Sequence, residues 1–229
     1  MPPLAPQSKA MPAEDQTTLV RQVVSQMREM LISGEMTAGE KLSEHKIAAH
    51  FGISRNTLRE AFRELTAENL LDYQPHRGVF VAAPDAGDII DIYRARHIIQ
   101  GGAVRAANPG HPALLRMAQI VDEAKRAQHN EDWRAVGTAN IAFHRAMVDL
   151  SDSARLTANF ENLLAELRLA FGQMHDDAFL HGPFVPMNAE LLHLLQDDKL
   201  AAAAAYLETY LIRSERSLLA ALTRGHSKD

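Results

Sequence analysis

The 229-residue chain has no cysteine, which excludes disulfides and thiolate metal sites while leaving the redox compartment open. Glycine and proline are sparse beyond the opening "MPPLAPQSKAMPAEDQ", and β-branched residues are few, so helix should dominate. The longest unbroken apolar run, "LAAAAAYL", is far too short to span a bilayer. The opening stretch lacks the basic-then-apolar order of a secretory signal, and its prolines read as a disordered tail over residues 1–18. With no export signal and no membrane partner, a cytoplasmic protein is the expectation. A basic surplus is missing as well. The net charge is −5; residues 1–80 hold nine Lys/Arg against ten Asp/Glu, and the remainder holds fifteen against nineteen. Any contact with nucleic acid would have to come from a local patch.

Such a patch is present in "SRNTLREAFREL", residues 54–65. In a helix, Arg55, Arg59 and Arg63 advance by about 40° per step and form one stripe, while Leu58, Ala61, Phe62 and Leu65 share a neighbouring apolar face. The stripe could be a solvated surface whose arginines pair with Glu60, Glu64 and Glu68. Its surroundings favour another role. "LVRQVVSQMREMLIS", residues 19–33, puts Val20, Val23, Val24, Met27, Met30 and Leu31 at helical spacing, with Gly34 as a stop. "TAGEKL" reads as a turn. Ser43 then caps "EHKIAAHF", with Ile47, Ala48 and Phe51 inward; "GIS" turns, and Ser54 caps the arginine-striped helix. "LLDYQ" and "GVFVA" are β-prone and join at a hairpin tip containing Pro75 and Gly78. Helix, helix, tight turn, helix, hairpin predicts a winged helix-turn-helix over residues 19–83. The third helix would enter a DNA major groove, with Arg77 at the wing tip reaching the backbone or minor groove.

The stretch "AGEKLSEHKIAAHFGISRNTLREAFRELTAENLL…HRGVFV" resembles the N-terminal domain of GntR-type bacterial transcription regulators, without a gap over residues 36–81. Ala38 replaces the usual Pro, His45 stands where many members have Arg, and Asn56-Thr57 replaces a common Thr-Pro pair. The resemblance extends the expected DNA-binding set to Glu44 and His45 on the second helix. On the third helix it comprises Ser54, Arg55, Asn56, Thr57, Arg59 and Arg63, and on the wing His76, Arg77 and Gly78.

From Pro84 onward there is no strand signal. "DAGDIIDIYRARHIIQGGAVRAA" follows a capping Asp85 or Asp88, and Pro112 opens "HPALLRMAQIVDEAKRAQHN". "DWRAVGTANIAFHRAMVDL" and "ARLTANFENLLAELRLAFGQM" come next. After a break at "HDDAFLHGPFVP" come "MNAELLHLLQ" and "KLAAAAAYLETYLIRSERSLLAALT". The expected fold is therefore mainly α: the winged helix-turn-helix plus an all-α bundle of about six helices over residues 84–226. The alanine tract packs helices closely, with Tyr206, Leu207, Tyr210 and Leu211 continuing a buried stripe.

"DIYRARHIIQGGAVRAA" with "NIAFHRAMVDLSDSARL" is similar to the effector domain of the FadR subfamily, FCD class, over roughly residues 88–222. In many such domains a metal is held by an Asp or Asn four residues before a His and by two later His. Those positions fall here on Asn140, His144, Asn188 and Tyr210. Amide and phenol groups are poor ligands for a transition metal, so no metal and no other cofactor is expected. The resemblance implies instead a polar pocket for a small organic acid. Arg96 is the candidate carboxylate partner, and Gln100 stands where the family has Glu. Arg96 could equally form a structural ion pair with Asp91 or Asp149. The implied partners are operator DNA with inverted-repeat half-sites, a small-molecule effector and a second copy of the chain. A rival is a hydrolase or metalloenzyme using His144 with Asp149, His175 or His181; no nucleophile motif, phosphate loop or carboxylate-rich metal set supports it. A helical module whose winged domain binds protein is a third possibility. Arg55 and Arg59 beside the Ser54 cap argue against it, and the protein is expected not to be an enzyme.

Overall fold

The structure, a computed structural model, describes residues 13–174 and 177–226. Helix α1 (Ala13–Ile32) begins before the expected boundary, so residues 13–18 are helical rather than tail; residues 1–12 lie outside the described residues. Helices α2 (Glu44–Phe51) and α3 (Arg55–Ala67) follow, then strands β1 (Leu71–Gln74) and β2 (Gly78–Val81). Gly52, at φ 63°, ends α2 in the left-handed region, and its N–H reaches the carbonyls of Ala48 and Ala49, which makes the tight turn possible. The strands pair antiparallel with Leu71 opposite Val81. The wing gains a third edge that the turn-like "TAGEKL" did not suggest. Lys41 bridges Phe80, and Leu42 N–H donates to the Val79 carbonyl at 2.9 Å.

The second half holds α4 (Ala86–Ala106), α5 (Pro112–His129), α6 (Trp133–Val148), a 3-10 turn (Asp149–Ser151), α7 (Ala154–Gly172), α8 (Asp177–His181), α9 (Phe184–Gln196) and α10 (Leu200–His226). Seven α-helices are thus found among the described residues where about six were expected; the addition is α8, inside the segment read as a break. Asp85, not Asp88, caps α4, and the two form a reciprocal capping box. No helix among the described residues is long and apolar enough to cross a membrane.

The two halves share a core. Val20, Val23, Met27 and Leu31 of α1 pack with Leu58, Phe62 and Leu65 of α3. The same cluster includes Ile141 and Val148 of α6 and Phe160, Leu164 and Leu169 of α7. Helix α1 therefore lies between the helix-turn-helix and the bundle, so the division at residue 83 is not a break in packing. A second core, from Ile89 and Tyr93 through Phe143 and Leu191 to Leu222, fills the bundle.

Candidate DNA-binding surface and effector cluster

Helix α3 buries Leu58, Ala61, Phe62 and Leu65 and leaves Arg55, Asn56, Arg59 and Arg63 exposed. The Ser54 hydroxyl accepts the Thr57 N–H at 3.1 Å, and the two hydroxyls lie 2.8 Å apart. Thr57 is only 5% exposed. It completes the cap and faces the protein, so its expected place on the DNA-contacting surface is corrected. The glutamates of α3 and its C-cap do not neutralise the stripe: Glu68 at the C-cap bonds Arg28 of α1 at 2.6 Å, and Glu60 and Glu64 form no ion pair with the arginines. Arg59 is tied instead to Glu44 of α2, its Nε donating at 3.2 and 3.1 Å to the two carboxylate oxygens. That hydrogen bond, more than the charge itself, raises the Arg59 pKa. The pair latches the two helices and occupies Glu44. His45 is exposed at the start of α2.

At the wing tip, His76 and Gly78 both have positive φ, 62° and 111°, so Gly78 serves the turn's conformation. Arg77 lies 5.4 Å from the centre of the Phe80 ring, and Lys41 sits 5.8 Å from the same ring. Sequence reasoning missed Lys41, whose place beside the wing depends on the unanticipated third edge.

In the bundle, Arg96, Asn140, His144, Asn188 and Tyr210 are all buried and come from α4, α6, α9 and α10. Gln100 joins them. Arg96 Nε donates to Gln100 Oε1 at 3.3 Å, and Gln100 Nε2 lies 2.7 Å from His144 Nδ1. An amide nitrogen only donates, so Nδ1 accepts and the imidazole proton is on Nε2, 3.0 Å from the Tyr210 hydroxyl. Tyr210 donates onward to Asn140 Oδ1 at 2.9 Å, and Asn188 Nδ2 donates to the same oxygen at 2.8 Å. Donors and acceptors thus alternate in a single direction from Arg96 to Asn140. Two valences are left over: Arg96 Nη1, a cationic donor, and Asn188 Oδ1, an acceptor, are buried without partners.

The alternative ion pairs for Arg96 do not form. Asp149 bonds Arg116 at 2.8 Å and Thr157 at 3.1 Å, whereas Arg96 lies 4.6 Å from the centre of the Tyr93 ring. Burial, and secondarily the Arg96 charge, lowers the His144 pKa well below normal; burial raises that of Tyr210. A neutral imidazole with both nitrogens engaged and a protonated phenol do not fit a transition metal. Among the described residues, no three His, Cys, Asp or Glu side chains converge to hold one. The partners proposed for an enzyme are not gathered at His144 either. His181 packs against Phe171 with its pKa pushed down to about 4, mainly by burial, and His175 lies outside the described residues.

Helix α6 presents two faces. Asn140 and His144 belong to the cluster, while Ile141 and Val148 pack into the core shared with α1. Arg145, next to His144, bonds Glu161 of α7 at 2.7 Å and Glu29 of α1 at 3.4 Å.

Residues 19–81 match the family of bacterial regulatory proteins named gntR, and residues 91–213, more than half of the chain, match the FCD domain. The chain is a GntR-family transcription regulator with an FCD domain. A transcriptional regulator crystal structure from Rhodococcus sp. RHA1, described as a putative GntR, is 36% identical. It superposes with a TM-score of 0.81 over 89% of this chain and 99% of that one. An HTH-type transcriptional regulator of Bacillus subtilis is 29% identical over 62% of this chain, which spans 65% of that relative. The probable D-xylose utilization operon repressor of Paenarthrobacter nicotinovorans is 29% identical over 68% of this chain and 71% of its own length.

Proposed function

We propose that this GntR-family regulator acts as a homodimer on an inverted-repeat operator and is controlled by a small organic anion bound, without metal, at the α4–α6–α9–α10 cluster. For DNA, the supporting observation is the α3 surface: Arg55 and Arg63 project from a helix whose opposite face is core, and no carboxylate of their own helix pairs with them. Arg55 and Asn56 near the N-terminus of α3 read base edges. Arg63, Arg77, Lys41 and His45 meet phosphates. Arg59 buttresses α2 through Glu44 and exchanges part of that bond for a base or phosphate when DNA binds. Two protomers neutralise roughly six to eight phosphates, so log affinity should fall with log salt at a slope of about −5 to −7. Fluorescence anisotropy across a salt series measures it, and a slope near zero removes the electrostatic contact.

For the effector, the supporting observation is the Arg96 guanidinium, 1% exposed with Nη1 unpaired. A buried cationic donor is completed by an anion, and the unpaired Asn188 Oδ1 by a hydrogen-bond donor. A hydroxy acid supplies both groups. Entry of such a ligand between α4 and α9 displaces α6, which carries the movement through Ile141, Val148 and Arg145 to α1 and the helix-turn-helix. In a thermal-shift series, hydroxy acids should raise Tm and their deoxy analogues should do so less. A stoichiometric transition metal found by elemental analysis of the purified protein overturns the metal-free site.

A further inference from the structure

Helix α4 turns one face away from the protein. Asp91, Arg94, Ile98, Gly102 and Arg105 recur at three- and four-residue spacing and are all exposed, while α6, α7 and α10 cover the other side. Ile98, at 77% exposure, is the most exposed large apolar side chain among the described residues. Gly102 lies one turn on, where an added Cβ would meet nothing within 4 Å. Glycine inside a helix is destabilising relative to alanine, and the protomer's own packing does not require one here. Its bare surface leaves room for a side chain from outside the protomer to cross the helix there.

The two ends of the face are complementary about Ile98. Asp91 precedes it by seven residues and Arg105 follows by seven; Arg94 precedes by four and Gly102 follows by four. Neither Asp91 nor Arg105 has an ion-pair partner among the described residues. Asp91 also stands close enough to Glu166 to raise its pKa, as does Asp88, so this end of the face is locally negative.

We propose that two copies of the chain meet along α4, antiparallel, with the dyad at Ile98. The two Ile98 side chains then bury each other. Asp91 meets the partner's Arg105, Arg105 meets the partner's Asp91, and each Arg94 stem crosses the partner's Gly102. A dyad contact must be self-complementary, and this face is. The inference rests on the reading of the protein as a symmetric dimer and names the surface that makes it.

Helices packed at 8–10 Å, with Cα atoms about 2.3 Å from each axis, bring facing Cα atoms to roughly 3.5–5.5 Å, which overlaps disulfide range. In the 229-residue chain, which has no cysteine of its own, Ile98→Cys should oxidise to a covalent dimer. Leu115→Cys, at a site also well exposed at 69%, should stay monomeric on a non-reducing gel. In sedimentation equilibrium, Asp91→Arg should raise the dimer dissociation constant about tenfold, and adding Arg105→Asp should return it to within about threefold of wild type. A wild-type dimer in which Ile98→Cys does not cross-link, or in which the second charge reversal fails to rescue the first, overturns the α4 surface while leaving dimerisation standing. A monomeric wild type overturns both.

Discussion

The candidate DNA-binding surface and the buried cluster are both polar, yet they are built in opposite ways. Arg55 and Arg63 extend into solvent from a helix anchored on its other side, and their removal leaves no buried group without a partner. Arg96, Gln100, His144, Tyr210 and Asn140 are sealed between helices and satisfy one another in sequence, so each depends on its neighbours. An exposed site can lose its function and keep its stability. A buried one joins the two.

The largest effect should come from His144→Leu, which leaves the Gln100 amide nitrogen with only Met147 Sδ at 3.6 Å and removes the donor to the Tyr210 hydroxyl, which keeps its bond to Asn140. At about 1–3 kcal/mol for the unsatisfied amide donor and about 1 kcal/mol for the lost bond to Tyr210, denaturant unfolding should register a loss of about 3 kcal/mol. Stability within about 1 kcal/mol of wild type would mean that the cluster rehydrates freely and is not a closed network. Arg55→Ala should do the opposite: specific DNA binding weakens by roughly 1–3 kcal/mol in anisotropy titrations while unfolding is unchanged within about 0.5 kcal/mol. Wild-type affinity in that variant would take α3 out of the groove.

Tyr210→Phe sharpens the comparison at the cluster. It strands the His144 Nε2 proton but leaves Asn140 Oδ1 bonded to Asn188, so a stability loss of about 1–2 kcal/mol is expected. It should also weaken the ligand-induced Tm shift. A lowered Tm with an intact ligand response would make the cluster a structural polar core.

The smallest expected effect lies between the two regions. Burial, together with Asp88 and Asp91, pushes the Glu166 carboxyl in the cleft beside the wing up to about 7. An acid with a raised folded pKa keeps a proton that the unfolded chain has released, so this group's contribution falls as pH rises from about 4.5 to 7 and its full cost is felt above that. Glu166→Gln should therefore melt a few degrees higher than wild type near pH 8 and match it near pH 4.5. Equal melting at both values would mean that the carboxyl is solvated.

The same contrast explains what was legible in the sequence. The α3 stripe, its Ser54 cap and the hairpin carry their signals locally, in spacing and turn residues, and they stand where the sequence put them. The inward turn of Thr57 is not legible, because neither spacing nor resemblance reveals that a hydroxyl will complete a cap. Lys41 depended on a strand edge created only when residues 39–42 meet β2. In the bundle, family resemblance points to the residues that converge, whereas nothing in the spacing marks Gln100, one turn from Arg96, as the link to His144. Helix α8, five residues long, is too short for periodicity to mark it. The early start of α1 lay within a stretch whose prolines suggested a tail.

The position of α1 also limits how such a protein can be recombined. One flank of this helix completes the helix-turn-helix and the other lies on α7, so a cut at residue 83 would bare Phe160, Leu164 and Leu169 on one fragment and their α1 counterparts on the other. The winged unit is not a detachable cartridge. A chimaera that moves its DNA-binding unit onto another helical domain would have to carry a matched α7 surface along with it, or rebuild that seam by hand.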